Sequence, residues 1–335
     1  MRKSTKIKTM RLKKSIVYNV VIGLGMLAPL AGDALRPVPV AAPVVRAALI
    51  PVNPDDWQSL ASAVRRRAER FSGVSGYIIK DLKTGEVVMD HPDRVFPSAS
   101  LIKLPILCAA FQAVHEGKIS LSTTITLARA DRRGGSGILK LAPEGSVLTN
   151  RELLEDMIIH SDNTAAALII RQLGYDYLQD TFTRLGLLDT QIHPDGFQLS
   201  AHHVSDDNMT SPRDMAFLLE KIYQRQLVSA EASDQMLDIL KHQKLRDRLP
   251  RFLPAGWEIA HKTGLLRKAC HDVGIVFSPQ GDYMICVLTS HDATYKMAKR
   301  FIASMGRITY DYYQGGLRKP ILQTSRNVQD VPPAS

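Results

Sequence analysis

The order of strand-forming and helix-forming segments most restricts the fold of this 335-residue chain. Two β-rich segments around the turn-like 83–85 predict a hairpin over 76–90. Apolar residues at helical spacing fill the middle of the chain, from about 98 to 225. Strand-like segments return near the C-terminus, at 257–266, 272–279 and 282–291. We therefore predict an α+β fold: an antiparallel five-stranded sheet flanked by helices, with an all-α lobe inserted between its strands.

Composition and pattern divide the chain into a leader, a Pro/Ala-rich linker, one folded domain and a loose tail: 1–34, 35–54, 55–312 and 313–335. Within the domain, we assign 55–95 and 215–312 to the sheet lobe and 96–214 to the helical lobe. A cleft between two such lobes is where a binding or catalytic site is expected. We expect the protein to be a monomer.

The positive charge of the chain is concentrated in its first residues. Residues 1–34 hold seven basic side chains and one acidic one, so +6 of the formal net charge of +10 lies there and +4 remains elsewhere. No basic stripe with interleaved aromatics is left, which excludes nucleic-acid binding. The apolar segment 16–32 and the small-residue stretch 32–34 predict a cleaved export signal, hence a periplasmic or extracellular protein. An uncleaved membrane anchor is the alternative, although the segment is short for one.

The cysteines and histidines do not form a metal-binding pattern. Cys108, Cys270 and Cys286 lack the spacing of a metal site, and their odd number permits one disulfide at most. We expect each of them to fill core space as a small apolar side chain. The pair His202-His203 beside Asp206-Asp207 belongs to neither of the H-x-H and H-E-x-x-H patterns. We predict neither a metal nor a cofactor.

Three short motifs occur along the chain: Ser100-Leu101-Ile102-Lys103, Ser161-Asp162-Asn163 and Lys262-Thr263-Gly264. Each motif alone is weak evidence for a site. An S-x-x-K spacing is common on solvated helix faces, S-D-N often caps a helix, and a second K-T-G at 83–85 falls in a predicted turn. The three motifs occur in this order along the chain, and each lies on a predicted element of a suitable type. Together they therefore indicate one site.

The first motif has the chemistry of an activated nucleophile. Residues three apart lie on one face of a helix, so Lys103 can reach the hydroxyl of Ser100. A serine hydroxyl needs such a base within hydrogen-bond reach. The flanking Ile102 and Leu104 remove hydration from the lysine, which lowers its pKa toward that of a usable base. We therefore predict that Ser100 is the nucleophile and that Lys103 activates it.

Two residues beside this motif have predicted structural roles. Ser98 stands at the start of the helix, where its hydroxyl is expected to cap free backbone N–H groups. Pro105 removes the helical hydrogen bond to the Leu101 carbonyl, which predicts a kink or a tight first turn.

The three motifs resemble the set used by serine β-lactamases and penicillin-binding proteins. The chain is similar to the class A β-lactamase family over roughly 55–312, including KDLKTGE at 80–86 and LTNRELLEDMI at 148–158. The resemblance implies the fold predicted above. It also implies an exported serine hydrolase of cyclic amides that opens the β-lactam ring through an acyl-enzyme on Ser100.

The resemblance further implies roles for the second and third motifs. Ser161 relays a proton to the leaving nitrogen, and Asn163 holds the amide side chain of the substrate. Lys262 attracts the substrate carboxylate and hydrogen-bonds Ser161, while the hydroxyl of Thr263 binds the same carboxylate.

Two residues beside Thr263 complete the implied site. Gly264 gives the substrate room against the strand edge. The backbone N–H groups of Ser100 and Leu265 form an oxyanion hole, an electrostatic contribution on the order of 3 kcal/mol per donor.

One element of the class A pattern is missing. In that family a glutamate in an E-x-x-L-N stretch activates the water that releases the acyl group, but residues 192–212 contain no glutamate. Counted back from Thr210-Ser211-Pro212, the glutamate position falls on Asp195 and the asparagine position on Leu199. Asp195 is therefore the first candidate base for deacylation, ahead of Gln198, Asp206 and Asp207, and a turn residue is its alternative interpretation.

Three functions remain open at this stage. The first is a β-lactamase, and the second is a D,D-peptidase or penicillin-binding serine hydrolase of cell-wall peptides that deacylates slowly. The third is a non-catalytic sensor that binds β-lactams. The corresponding ligand is a small β-lactam or a D-Ala-D-Ala-type peptide.

Overall fold

The computed structural model describes residues 54–194, 207–291 and 294–315. The predicted leader, the linker up to residue 53, the candidate base Asp195 and the tail beyond 315 lie outside the described residues. None of the helices within the described ranges combines the length and apolar character needed to cross a membrane.

The helices within the described residues are α1 (Pro54–Glu69), α2 (Lys103–His115), α3 (Asn150–Ile159), α4 (Asn163–Leu173), α5 (Tyr175–Arg184), α6 (Pro212–Tyr223), α7 (Ala230–Lys241) and α8 (Tyr295–Tyr313). The strands are β1 (Val74–Asp81), β2 (Val87–Asp90), β3 (Phe96–Pro97), β4 (Thr124–Thr126), β5 (Val147–Thr149), β6 (Met209–Thr210), β7 (Glu258–Leu266), β8 (Ala269–Phe277) and β9 (Tyr283–Ser290).

The main sheet joins strands from both ends of the chain, which confirms the predicted α+β fold. Its five strands lie in the order β2-β1-β9-β8-β7, and every neighbouring pair is antiparallel. The β1–β2 hairpin turns where Asp81 Oδ1 accepts hydrogen bonds from the backbone N–H groups of Lys83 and Thr84. Gly85 follows at a φ of +80°, a conformation that glycine adopts without strain.

The two faces of the sheet are covered by different helices. Successive side chains of a strand point to opposite faces. Tyr77 and Ile79 accordingly pack in the apolar cluster beneath α1 and α8, whereas Ile78 packs in the larger cluster that includes α2. The three cysteines are buried, as the sequence predicts.

The middle of the chain is helical, as predicted, and α2 lies at its centre. Almost all of α2 is buried, while α6 packs on β1, β8 and β9 and α7 packs on β7. The predicted capping box is confirmed: Thr149 Oγ1 accepts from the Glu152 N–H, and the Glu152 carboxylate accepts from the Thr149 N–H. Ser211 caps α6 in the same way through the N–H of Asp214.

The start of the central helix differs from the prediction in one respect. A 3₁₀ turn over Ala99–Ile102 precedes α2, and the backbone carbonyl of Ser98 accepts the N–H of Leu101 at 2.9 Å. The side chain of Ser98 makes no capping bond and donates to the carbonyl of Ala99 at 3.3 Å, so the predicted cap is wrong. Pro105 lies in the first turn of α2, where a missing N–H is tolerated.

A buried histidine connects the sheet to the segment before this turn. His271 Nδ1 accepts the N–H of Thr289 at 3.1 Å, so the ring proton is on Nε2, which donates to the carbonyl of Pro97 at 2.8 Å. Burial lowers the pKa of His271 to about 4. The neutral ring therefore helps to fix Ser98 and Ser100 beside β8.

We predict that His271 makes the protein sensitive to acid. Its folded pKa is below its unfolded value of 6.5, so the unfolded chain binds the proton first as the pH falls. Stability should be lost between about pH 6.5 and pH 4, on the order of 3 kcal/mol in total. Urea unfolding of the wild type and of His271→Asn at pH 7.5 and 4.5 measures this contribution. An equal acid-induced loss in both proteins would contradict the assignment.

Candidate active site

The turn that carries Ser100 is held from both sides. The Ser98 N–H donates to the carbonyl of Asn208 at 2.6 Å, and β3 pairs with β6 immediately before the turn. Ala99 adopts a φ of +47°, a left-handed conformation that costs a non-glycine residue about 1 to 2 kcal/mol. The surrounding contacts maintain this conformation. It determines the direction in which the backbone continues from β3 to Ser100.

Lys103 lies at the centre of the site and is 1% exposed. Its Nζ lies 3.3 Å from Ser100 Oγ and 3.3 Å from Ser161 Oγ. It also donates to the Ser161 carbonyl and to Asn163 Oδ1, both at 2.6 Å. The structure thus brings the first two predicted motifs together around one nitrogen.

Burial changes the protonation of this lysine. It lowers the pKa of Lys103 to about 7, and the nearby carboxylate of Asp162 opposes the change without cancelling it. A large fraction of the side chain is therefore the neutral amine at physiological pH. A neutral amine within reach of a serine hydroxyl can act as a general base.

The third motif joins the network through Ser161. Lys262 Nζ donates to Ser161 Oγ at 3.0 Å and to the carbonyl of Thr263 at 2.9 Å. Burial lowers the pKa of Lys262 well below its usual range, and the positive charges of Lys103 and Arg248 lower it further. The Ser161 hydroxyl consequently lies between two lysine nitrogens and can pass a proton from one side to the other.

The middle residue of the second motif anchors the site, and it forms the helix cap that S-D-N sequences often provide. Asp162 is 1% exposed, and its Oδ1 caps α4 by accepting from the N–H groups of Thr164 and Ala165. Its Oδ2 accepts from the N–H groups of Ile138 and Leu139 at 2.6 and 2.8 Å. Four backbone donors compensate the buried charge, and two of them connect the motif to Ile138 and Leu139, directly after the glycine-rich segment 134–137.

Asn163 makes three hydrogen bonds to protein atoms. Its Nδ2 donates to the carbonyl of Gly134 at 2.9 Å, its N–H donates to that of Ser136, and its Oδ1 accepts from Lys103. Its Nδ2 carries a second hydrogen that makes no hydrogen bond within the described residues and is available to a substrate carbonyl. Binding of substrate by Asn163 stays a prediction.

The strand residues after Lys262 lie against the Ser100 turn. A Cβ at Gly264 would lie 2.9 Å from His271 Cδ2 and 3.1 Å from the Ser98 carbonyl oxygen. Glycine is thus required for packing β7 onto the turn, a reason different from the predicted room for substrate. Thr263 is buried and Leu265 is 41% exposed. Their contacts with a substrate and the oxyanion hole stay predictions.

Sequence reasoning missed a buried charged group near Lys262. The side chain of Arg248 is 3% exposed, and its charge lowers the pKa of Lys262. The carboxylate of Asp272 raises that pKa, and it also contacts His261 Nδ1 at 2.9 Å. No periodic pattern marks Arg248 in the sequence, because its burial depends on the packing of distant strands.

Within the three described ranges, no group of three or more His, Cys, Asp or Glu side chains could hold a metal ion. The pair His202-His203 lies outside them.

Known proteins resemble this chain in sequence and in fold. The model of the beta-lactamase enzyme family matches residues 59–313. The extended-spectrum beta-lactamase PER-1 of Pseudomonas aeruginosa is 28% identical, over 70% of this chain and 80% of that protein. Beta-lactamase VEB-1 of the same organism is 25% identical, over 66% and 79%.

Solved structures with the same fold include two that are relevant to the site. A beta-lactamase from Sphaerobacter thermophilus is 30% identical with a TM-score of 0.71, covering 79% of this chain and 99% of that one. PBP-A is 31% identical with a TM-score of 0.70, covering 76% and 96%. A PBP-A variant has been solved as an acyl-enzyme complex with penicillin G.

We predict that Gly137→Ala destabilises the protein by displacing the Asp162 carboxylate from its hydrogen bonds. Gly137 has a φ of +110°, and a Cβ there would lie 2.2 Å from Asp162 Oδ2, so the carboxylate would lose hydrogen bonds. The free energy of unfolding in urea should fall by about 2 to 3 kcal/mol more than in the control Gly145→Ala. Gly145 has a φ of +84° and no atom within 4 Å of such a Cβ, so its variant carries backbone strain alone. Equal losses in the two variants would contradict the anchoring role of Asp162.

Proposed function

The chain belongs to the beta-lactamase enzyme family, and we propose that it is an exported, class A-like serine hydrolase that opens the β-lactam ring through an acyl-enzyme on Ser100. The observation that carries the proposal is the position of Lys103. Its Nζ lies 3.3 Å from Ser100 Oγ, and burial lowers its pKa to about 7. This pair has the geometry and the protonation that an activated serine requires.

Acylation follows from the hydrogen-bond network. The neutral amine of Lys103 accepts the proton of Ser100 as Ser100 Oγ attacks the lactam carbonyl. The carbonyl carbon gains a bond to Ser100 Oγ and loses its bond to the ring nitrogen. The leaving nitrogen takes its proton from the Ser161 hydroxyl, which contacts Lys103 and Lys262 and is reprotonated through them.

Positive charge on the β7 side of the site favours an acidic substrate. The buried guanidinium of Arg248 attracts a carboxylate toward β7, where the Thr263 hydroxyl can bind it. The negative charge of the bound carboxylate raises the pKa of Lys262, so that its ammonium form adds to the attraction. The N–H groups of Ser100 and Leu265 stabilise the oxyanion. These roles are supported by the family and by the burial of the charged groups.

The second candidate is a penicillin-binding peptidase with slow deacylation. Two observations favour it: residues 192–212 contain no glutamate, and the chain is 31% identical to PBP-A. In the first candidate function, Asp195 replaces the missing glutamate as the base that activates water. In the second, the acyl group persists because no base is positioned.

Export is supported by the sequence of the first 34 residues. A basic region followed by an apolar segment and small residues is the pattern of a secretory signal. A periplasmic or extracellular enzyme would meet both candidate substrates, β-lactams and cell-wall peptides.

We predict that Ser100→Ala abolishes covalent labelling by a fluorescent penicillin, because the attacking oxygen is removed. Ser98→Ala is the matched control: it removes a hydroxyl two residues away whose hydrogen bond, among the described residues, goes to the Ala99 carbonyl. Intact-mass spectrometry after labelling should show the adduct on the wild type and the control alone. An adduct on Ser100→Ala would overturn the assignment of the nucleophile.

The lifetime of the adduct separates the two candidate functions. If the mass of the acyl-enzyme appears and clears within seconds while hydrolysed β-lactam accumulates, the protein is a β-lactamase. If the adduct stays for many minutes, it is a penicillin-binding hydrolase.

We predict that the acylation rate depends on the deprotonation of Lys103. The rate constant should rise with pH and level off above about 7, and at pH 5 it should be about 100-fold below the plateau. Lys103→Arg should abolish acylation, because a guanidinium stays protonated. Lys83→Arg, in the other K-T-G sequence, should keep the wild-type profile. Stopped-flow acylation with a chromogenic cephalosporin measures both, and a flat profile would contradict the assignment of the base.

A further inference from the structure

The buried Lys262 has hydrogen-bond partners that suit a neutral amine better than an ammonium group. It is 0% exposed, and within the described residues its Nζ has two acceptors, Ser161 Oγ at 3.0 Å and the Thr263 carbonyl at 2.9 Å. An ammonium group has three N–H donors. The third donor of a charged Lys262 therefore has no acceptor among these residues, and neither of the two acceptors carries a charge.

The charges nearest to Lys262 oppose its protonation on balance. After burial, the positive charges of Lys103 and Arg248 lower the pKa of Lys262, and the carboxylate of Asp272 raises it without cancelling them. Asp272 lies on β8 and contacts His261 Nδ1 at 2.9 Å, so its charge is shared with another side chain. Within the described residues, Lys262 consequently belongs to a cationic cluster whose compensating carboxylate is already engaged.

The other titratable groups packed around β7 do not supply the missing negative charge. The ring of His271 on β8 is neutral, because burial lowers its pKa to about 4. The carboxylate of Asp162 accepts four backbone N–H groups. On α7, which packs on β7, Lys241 pairs with Glu258 at 3.1 Å at the start of the strand. The compensating charge for a protonated Lys262 therefore has to come from a ligand.

A carboxylate bound at β7 changes this balance. The guanidinium of Arg248 stays protonated although its side chain is 3% exposed, and it attracts such a group. The bound negative charge offsets that of Arg248 at Lys262 and adds its own attraction for a proton. An opposite charge within about 4 to 6 Å is sufficient for this effect, so the ligand need not touch the buried nitrogen.

We infer that the site takes up one proton with each carboxylate-bearing ligand, and that Lys262 is the residue that binds this proton. The proton comes from solvent and converts the Nζ amine to an ammonium group, so the negative charge of the ligand enters the site with a compensating positive charge. A β-lactam whose carboxylate is esterified binds without this proton. The inference rests on the proposed function, because it takes an acidic β-lactam as the ligand.

Calorimetric titration of Ser100→Ala with benzylpenicillin measures the proton uptake, because this variant binds the β-lactam without forming the acyl-enzyme. The observed enthalpy in phosphate and in Tris is compared with the ionisation enthalpy of each buffer, which gives the number of protons taken up per ligand. Between pH 6 and pH 9 we expect a maximum on the order of one proton for benzylpenicillin and about none for its methyl ester. Over this range the affinity for benzylpenicillin should fall as the pH rises, by up to about tenfold per pH unit.

Two lysine variants in the Ser100→Ala background assign the proton. Lys262→Arg should still bind benzylpenicillin, but without proton uptake and without the fall in affinity, because a guanidinium is already charged. Lys241→Arg is the matched control: it changes the lysine that pairs with the start of β7, and it should keep the uptake. Uptake that persists in Lys262→Arg would place the proton on Lys103 and overturn the inference.

Three further results would overturn it: no binding of benzylpenicillin to Ser100→Ala at millimolar concentration, binding without proton uptake, and equal uptake with the methyl ester. The comparison with the ester decides even if Lys262→Arg does not fold. Labelling of the wild type by a fluorescent penicillin separates these failures from a failure of the proposed function. Labelling of the wild type together with binding that takes up no proton would contradict the inference alone. The absence of both labelling and binding would contradict the proposed function as well.

Discussion

The hydrogen bonds of the buried Lys103 nitrogen are the constraint on which the site depends. A lysine removed from water loses its hydration, so it must find partners within the protein or lose its charge. Lys103 does both: its Nζ contacts Ser100, Ser161 and Asn163, and burial lowers its pKa to about 7. The first and second motifs are distant in the sequence, but they lie together in the structure because both supply hydrogen-bond acceptors to this one nitrogen.

The fold supplies those acceptors through buried groups that are themselves compensated. Ser161 has a φ of +53°, an uncommon conformation for a serine, and its neighbour Asp162 accepts four backbone hydrogen bonds that hold the turn in place. On the other side, the antiparallel sheet carries Lys262 on an edge strand that packs against the Ser100 turn. The sheet and the helical segment therefore act together: each presents one lysine to the hydroxyl of Ser161.

Local patterns in the sequence predicted most of the architecture, because the hairpin, the capping box of α3 and the strands of the sheet depend on nearby residues. The motif residues were also predicted. What could not be predicted depends on distant contacts. Ser98 looked like a helix cap, but the turn that follows it is a 3₁₀ turn. The burial of Arg248 and the requirement for glycine at 264 arise only when β7, β8 and the Ser100 turn pack together.

The most direct test of this account is the pKa of Lys103 itself, measured by NMR from the chemical shift of its side-chain Cε carbon and assigned by comparison with Lys103→Arg. The account predicts a titration midpoint near pH 7, because burial outweighs the attraction of Asp162. A midpoint near the ordinary lysine value of about 10.4 would show that the ammonium is stabilised in place. Lys103 would then be a structural cation, and Ser100 would need another base.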